Sequence, residues 1–267
     1  MSALILGIIV GVVLALTGAG GGILAVPLLI FGARLGVAEA GPIGLLAVGM
    51  AATLGALLGL RAGTVRYRAA LLVACAGMLF SPAGIWLAQR TDNRWLGVLF
   101  ALIMLYVAVR TYRQVRQAGK HASHTEALHA PPPCVRYRES GRFIWTLPCA
   151  RALALSGTLA GLLSGLLGVG GGFVMVPALR RYTDLGMESI IPTSLAVIAL
   201  VSAMGVASSA IAGQLNWGIA LPFSLGSLGG MIAGRFIAGR LAGPQMQKGF
   251  AMVSALVAVG MIVKAFA

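Results

Sequence analysis

Two clusters of glycine are the residues of this chain best suited to chemistry. Gly18, Gly20, Gly21 and Gly22 stand in LTGAGGGILAVPLL, and Gly168, Gly170, Gly171 and Gly172 stand in LLGVGGGFVMVPAL. Each cluster is followed by a Val-Pro pair, Val26-Pro27 and Val176-Pro177. Consecutive glycines let the chain turn and leave backbone N–H groups unshielded. A helix starting after such a break points its positive end into the gap, which suits an anion. Thr17 beside the first cluster, and Thr193 and Ser194 beyond the second, offer hydroxyl donors. The alternative for the last two is capping the helix that follows Pro192. Arg235 stands inside an apolar run; its planar fork fits oxyanions, and from near a span end it also reaches the interface. The other hydroxyls in apolar surroundings, Thr53, Ser81, Ser164, Ser202 and Ser224, are expected to bond to the preceding turn or across helices.

The elements that hold these residues are membrane helices. The 267 residues are 59% hydrophobic and only 10% charged, against about 25% charge in soluble domains. Apolar runs at 42–60, 68–89, 94–112, 193–211, 218–238 and 249–266 are long enough to cross a hydrocarbon layer of about 30 Å. Nothing alternates as barrel strands do. The run 1–33 is cut at residues 18–22 into pieces of about 16 and 11 residues, each too short to cross.

The chain is also duplicated. Shifted by 150 residues, 27 of the 102 residues 7–108 are identical to their partners in 157–258, Phe100/Phe250 and Arg90/Arg240 among them. The expected fold is an all-α integral membrane protein of two homologous repeats. Each repeat is a Gly-interrupted helix pair, broken or re-entrant, plus three transmembrane helices. The divisions are 1–111, a basic linker 112–150, and 151–267. The linker's polar residues, His121, His124, His129 and Pro131–Pro133 suit an extended tether more simply than a histidine metal site or pH sensor.

If the glycine-cut unit is one broken span, the repeats are parallel; if it is a hairpin, they are inverted. Eight of the twenty basic residues fall between Arg110 and Arg151. Inversion puts Arg180, Arg181, Arg240 and Lys248 on the face of that linker, with Arg61, Arg66 and Arg68, so the excess of basic loops on the cytoplasmic side favours it.

Several classes drop out. The net charge of +14 is concentrated in the linker, which suits anionic lipid headgroups and not nucleic acid. Cys75, Cys134 and Cys149 show no CxxC spacing, so neither a disulfide framework nor a metal site is expected, and Cys75 reads as a small core residue. There is no HExxH, GLLSGLLG around Ser164 is not a nucleophile turn, and no cofactor motif is present; an enzyme is not expected. No Asp or Glu stands inside the expected spans, which argues against a carboxylate proton relay. The N-terminus lacks a basic lead-in and cleavage site, so it reads as part of the mature chain. The spaced glycines Gly7/Gly11, Gly55/Gly59 and Gly226/Gly230/Gly234 read as helix-packing positions.

The duplicated pattern GxGGGxxxVP, at Gly18–Pro27 and Gly168–Pro177, resembles the signature of the sulfite exporter TauE/SafE family, and the resemblance covers nearly the whole chain. It implies a secondary carrier of a small sulfur-containing oxyanion, sulfite or an organosulfonate such as sulfoacetate, across the bacterial inner membrane. The implied mechanism is alternating access around two hairpin tips. An anion channel, a carrier of a non-sulfur anion and a structural scaffold are the competing readings. The expected partners are the anion and membrane lipids, with association into homo-oligomers left open.

Overall fold

The computed structural model describes residues 2–17, 21–118, 134, 146–241 and 244–266. Gly18, Ala19, Gly20, His121, His124, His129 and Pro131–Pro133 lie outside them. The described residues form ten helices: α1 Ser2–Thr17, α2 Gly21–Gly32, α3 Val37–Arg61, α4 Tyr67–Arg90, α5 Asn93–Ala118, α6 Leu147–Leu167, α7 Gly172–Tyr182, α8 Met187–Ile211, α9 Trp217–Leu241 and α10 Pro244–Phe266. Six of them, α3, α4, α5, α6, α8 and α9, contain described stretches long and apolar enough to cross a membrane. Leu79, Phe236 and Ile211 are 78%, 83% and 90% exposed. Side chains this apolar on the outer surface of a helical bundle are those that hydrocarbon would cover.

The glycine-cut units are hairpins. In the first, Gly21 lies against the backbone of Leu14 and Gly32 against the Leu6 side chain, so α2 runs back along α1. In the second, Gly171 packs on Ala160, and Cys134 ties the far ends of the two limbs together. It is disulfide-bonded to Cys149 near the start of α6. Its N–H donates to Tyr182 O at 3.1 Å, and it accepts from Asp184 N at 3.2 Å. This corrects the expectation of no disulfide: the linker returns to the end of α7, a tertiary contact that spacing does not show. Cys75, expected in the core, is exposed on an outward face of α4.

The repeats interlock. α1 packs along α9 of the other repeat, and α4 along α6, while α3 meets α8 and α5 meets α10. Small residues make this possible. A Cβ at Gly7, Gly11, Gly226 or Gly230 would overlap the backbone of Phe223, Ser227, Leu4 or Ile8. Across the other pair, Gly157, Gly161 and Gly165 approach Val73, Gly77 and Ser81 in the same way. The packing reading of the spaced glycines holds.

Helix boundaries differ from expectation at two prolines. α3 begins five residues before Pro42 and α8 five residues before Pro192, so both prolines lie inside helices. Interior proline is tolerated in membrane helices where neighbours re-satisfy the freed backbone groups. Thr193 and Ser194 therefore do not cap a helix start, and the N-cap of α8 is Gly186. The identical pair Gly63/Gly213 has a different cause. Both follow a long helix with φ of +67° and +68° and nothing near a Cβ position, so the turn and not space demands glycine.

Candidate functional site

The two glycine motifs meet inside the protein. A Cβ on Gly22 would lie 2.6 Å from Val169 O, so the start of α2 touches the loop between α6 and α7. Gly168, Gly170 and Gly171 have φ of +73°, +73° and +68°, the left-handed region that glycine enters without strain. All three are buried. Gly168 caps α6, its N–H donating to Ser164 O at 2.8 Å, and packs on Gly41 of α3. Gly170 faces Ile198 and Ser202 of α8 and Val48 of α3. Gly172 opens α7 behind an N-cap, Gly171, that has no side-chain hydrogen bond to offer.

At the first tip, the Thr17 hydroxyl accepts from Gly21 N at 3.1 Å and donates to Val13 O at 2.7 Å. It occupies an amide at the start of α2 that a ligand would otherwise meet. Leu167 stands at the corresponding place before the second cluster.

The remaining expected residues sit elsewhere. Thr193 Oγ1 accepts from Arg66 N at 3.1 Å, joining α8 to the start of α4. Ser194 Oγ donates to Ile190 O and Ile191 O, at 2.9 and 2.8 Å, within its own helix. Arg235 is exposed between the outward-facing Ile232 and Phe236 of α9. Val26 and Pro27 are buried in α2, and Val176 and Pro177 are partly buried in α7.

The expectation that the other hydroxyls find local partners holds for some only. Thr53 Oγ1 donates to Gly49 O at 2.8 Å. Ser81, Ser164, Ser202 and Ser224 are buried and their Oγ atoms have no partner, as is also true of Ser209 and Ser254. A cleft of about 410 Å³ opens beside the second hairpin, among Glu39, Leu45, Gln89, Leu166, Ser209 and Gln214. Gln89 Nε2 donates to Gln214 Oε1 across it at 3.0 Å. A second hollow of about 220 Å³ shares Glu39 and Gln214 and adds Asn216. Sequence reasoning passed over Ser209, Glu39 and Gln214. A signal was available in the repeat itself, because Ser81, Ser164, Ser202 and Ser209 replace Met231, Leu14, Ala52 and Gly59 of the other copy.

Comparison with known proteins agrees with this architecture. A family model described as sulfite exporter TauE/SafE matches residues 3–261. A probable membrane transporter protein of Xylella fastidiosa (strain Temecula1 / ATCC 700964) is 29% identical over 264 residues, covering 97% of this chain and 93% of that protein. The probable membrane transporter protein YunE of Bacillus subtilis (strain 168) is 28% identical over 232 residues, 81% of this chain and 80% of the relative. No solved structure matches significantly. With the match running through both glycine hairpins and every helix between them, the chain belongs to the sulfite exporter TauE/SafE family and is a membrane transporter.

Proposed function

We propose that the chain is a secondary carrier moving a small sulfur-containing oxyanion, sulfite or an organosulfonate such as sulfoacetate, across the bacterial inner membrane by alternating access. The observation that carries this reading is the contact of Gly22 with Val169. Two chain breaks, far apart in sequence, converge where a broken helix would otherwise leave backbone groups unsatisfied in lipid. Discontinuous helices at matching places in two halves are the usual construction of a transporter's binding site. The substrate class comes from family membership; the geometry supports a small anion.

The halves are inverted in this reading. Each hairpin leaves on the face where it entered, and three further helices joined by short turns bring the chain to the opposite face. The second half therefore starts where the first ended. On that arrangement sixteen of the twenty Lys and Arg residues lie on the linker's face, which supports a cytoplasmic linker. The Cys134–Cys149 pair lies on the same face. Disulfides persist mainly in oxidising compartments, so a cytoplasmic linker predicts that the pair is held as thiols in growing cells. Labelling whole cells with a membrane-impermeant maleimide checks this: Cys134 and Cys149 react only after permeabilisation if the assignment is right, and stay unreactive until a reductant is added if the linker is outside.

Sulfite uptake into proteoliposomes, with sulfoacetate, sulfate and chloride in parallel, tests the function. Saturable flux of a sulfur oxyanion above that of protein-free vesicles is expected. A folded protein that moves none of them overturns the carrier reading, and conductive flux that does not saturate makes it a channel.

A further inference from the structure

Three of the unpartnered hydroxyls lie along one line. Ser202, Gly205 and Ser209 share a face of α8 at helical spacing, two turns or about 10 Å from end to end. Ser209, fully buried, lines the wall of the 410 Å³ cleft. Ser81 Oγ lies 3.3 Å from where a Cβ would stand on Gly205, and Ser202 Oγ lies 3.1 Å from the same point on Gly170. Each of the three hydroxyls is fully buried without a hydrogen-bond partner. Their neighbours Ser194 and Ser208 on the same helix bond back to its carbonyls. A buried hydroxyl left unpaired costs free energy unless water or a ligand completes it.

The matching place in the other repeat has no such line. There Gly55 faces the Leu195 and Met231 side chains, as Gly205 faces Leu45 and Ser81. Met231 is buried, and Ala52 and Gly59 stand for Ser202 and Ser209.

We propose that Ser209, Ser81 and Ser202 form a neutral, hydroxyl-lined ligand path that runs from the cleft to the second glycine tip and selects small oxyanions of single charge. The proposal rests on the carrier reading and names the side of the paired tips that holds the ligand. Within that substrate class it favours hydrogensulfite over sulfoacetate, whose sulfonate and carboxylate are both ionised at neutral pH. The tip supplies the uncapped start of α7, and Ser202 is the buried donor aimed at it. The charge selection follows from what is missing. Among the residues whose side chains are described, none that is buried as a whole is Lys or Arg. The buried Nε of Arg66 belongs to the start of α4, beside Thr193, and the cleft lining holds Glu39 and no basic residue. The cost of taking an ion out of water grows with the square of its charge, and hydroxyl and amide dipoles alone offset a single charge far better than a double one.

The test is anion-induced stabilisation of the purified protein, read as the rise in Tm with methanesulfonate, hydrogensulfite or sulfate, beside flux in proteoliposomes. The singly charged anions raise Tm and sulfate does not. Ser202→Ala and Ser81→Ala each weaken the binding on the order of threefold to tenfold, as loss of one hydrogen bond implies, without lowering Tm in the absence of anion. Ser208→Ala, which removes an outward, back-bonded hydroxyl, leaves the shift intact. Equal stabilisation of Ser202→Ala and the wild type overturns the proposal, as does binding of sulfate alone or of no anion. Stabilisation that depends on Ser202 in a protein showing no flux supports the path and removes the carrier reading instead.

Discussion

The two hairpins carry the same glycine motif and do different things with it. At the first, Thr17 caps Gly21 N–H, and the positions equivalent to Ser164, Ser202 and Ser81 are Leu14, Ala52 and Met231, all buried. At the second, Leu167 stands in Thr17's place, and Gly171 offers no side-chain cap. Ser202 Oγ lies against Gly170, and Ser81 Oγ against Gly205 one turn further along α8. The hydroxyls of Ser164, Ser202 and Ser81 are all unpaired. Their far ends differ too. Lys264 of α10 donates to Ile30 O at the end of α2, at 3.2 Å, a cation placed where a helix's negative end favours it. The end of α7 is held by the linker through Cys134. Duplication supplies a symmetric frame, and the polar chemistry then collects on one copy. For the first tip the matching positions are apolar.

The second tip is most sensitive at Gly168. Its left-handed backbone and its contact with Gly41 together make Gly168→Ala cost about 3 kcal/mol or more, the sum of strain and overlap. Gly63→Ala, strained but with open space around it, is expected to cost about 1–2 kcal/mol. Thermal unfolding in detergent gives both values, and equal losses would mean that the Gly168 contact contributes nothing. Next is the brace on the second hairpin. In the purified, oxidised protein Cys134→Ser opens a loop with a sequence separation of 15, worth about 3 kcal/mol in the chain-entropy account. Amide exchange should then quicken across residues 172–186 and stay unchanged across 21–32. A smaller effect comes from the first tip: Thr17→Val removes a helix cap worth about 1 kcal/mol and should expose Gly21 N–H to exchange, with no change at Gly172.

Much of this architecture is legible in the residues alone. Spans, duplication and the glycine breaks follow from hydropathy and spacing, because a membrane punishes unpaired backbone wherever a helix stops. The helix starts at Val37 and Met187 are harder to read, since Pro42 and Pro192 resemble boundaries although each sits inside a helix whose neighbours tolerate it. The disulfide is invisible in the sequence because it depends on the linker returning to α7. Thr193 and Ser194 look available there, but are engaged by Arg66 N and the Ile190 and Ile191 carbonyls. Ser202 and Ser81 look like ordinary back-bonding hydroxyls, and only their positions in the fold set them apart.

The measurement that bears most directly on the account is the initial rate of sulfite uptake against concentration, for the wild type beside Ser202→Ala. A carrier whose ligand sits at the second tip gives saturable rates in both, with KM raised about threefold to tenfold in the variant at unchanged Tm. Rates that do not saturate, or one KM shared by both proteins, would contradict it.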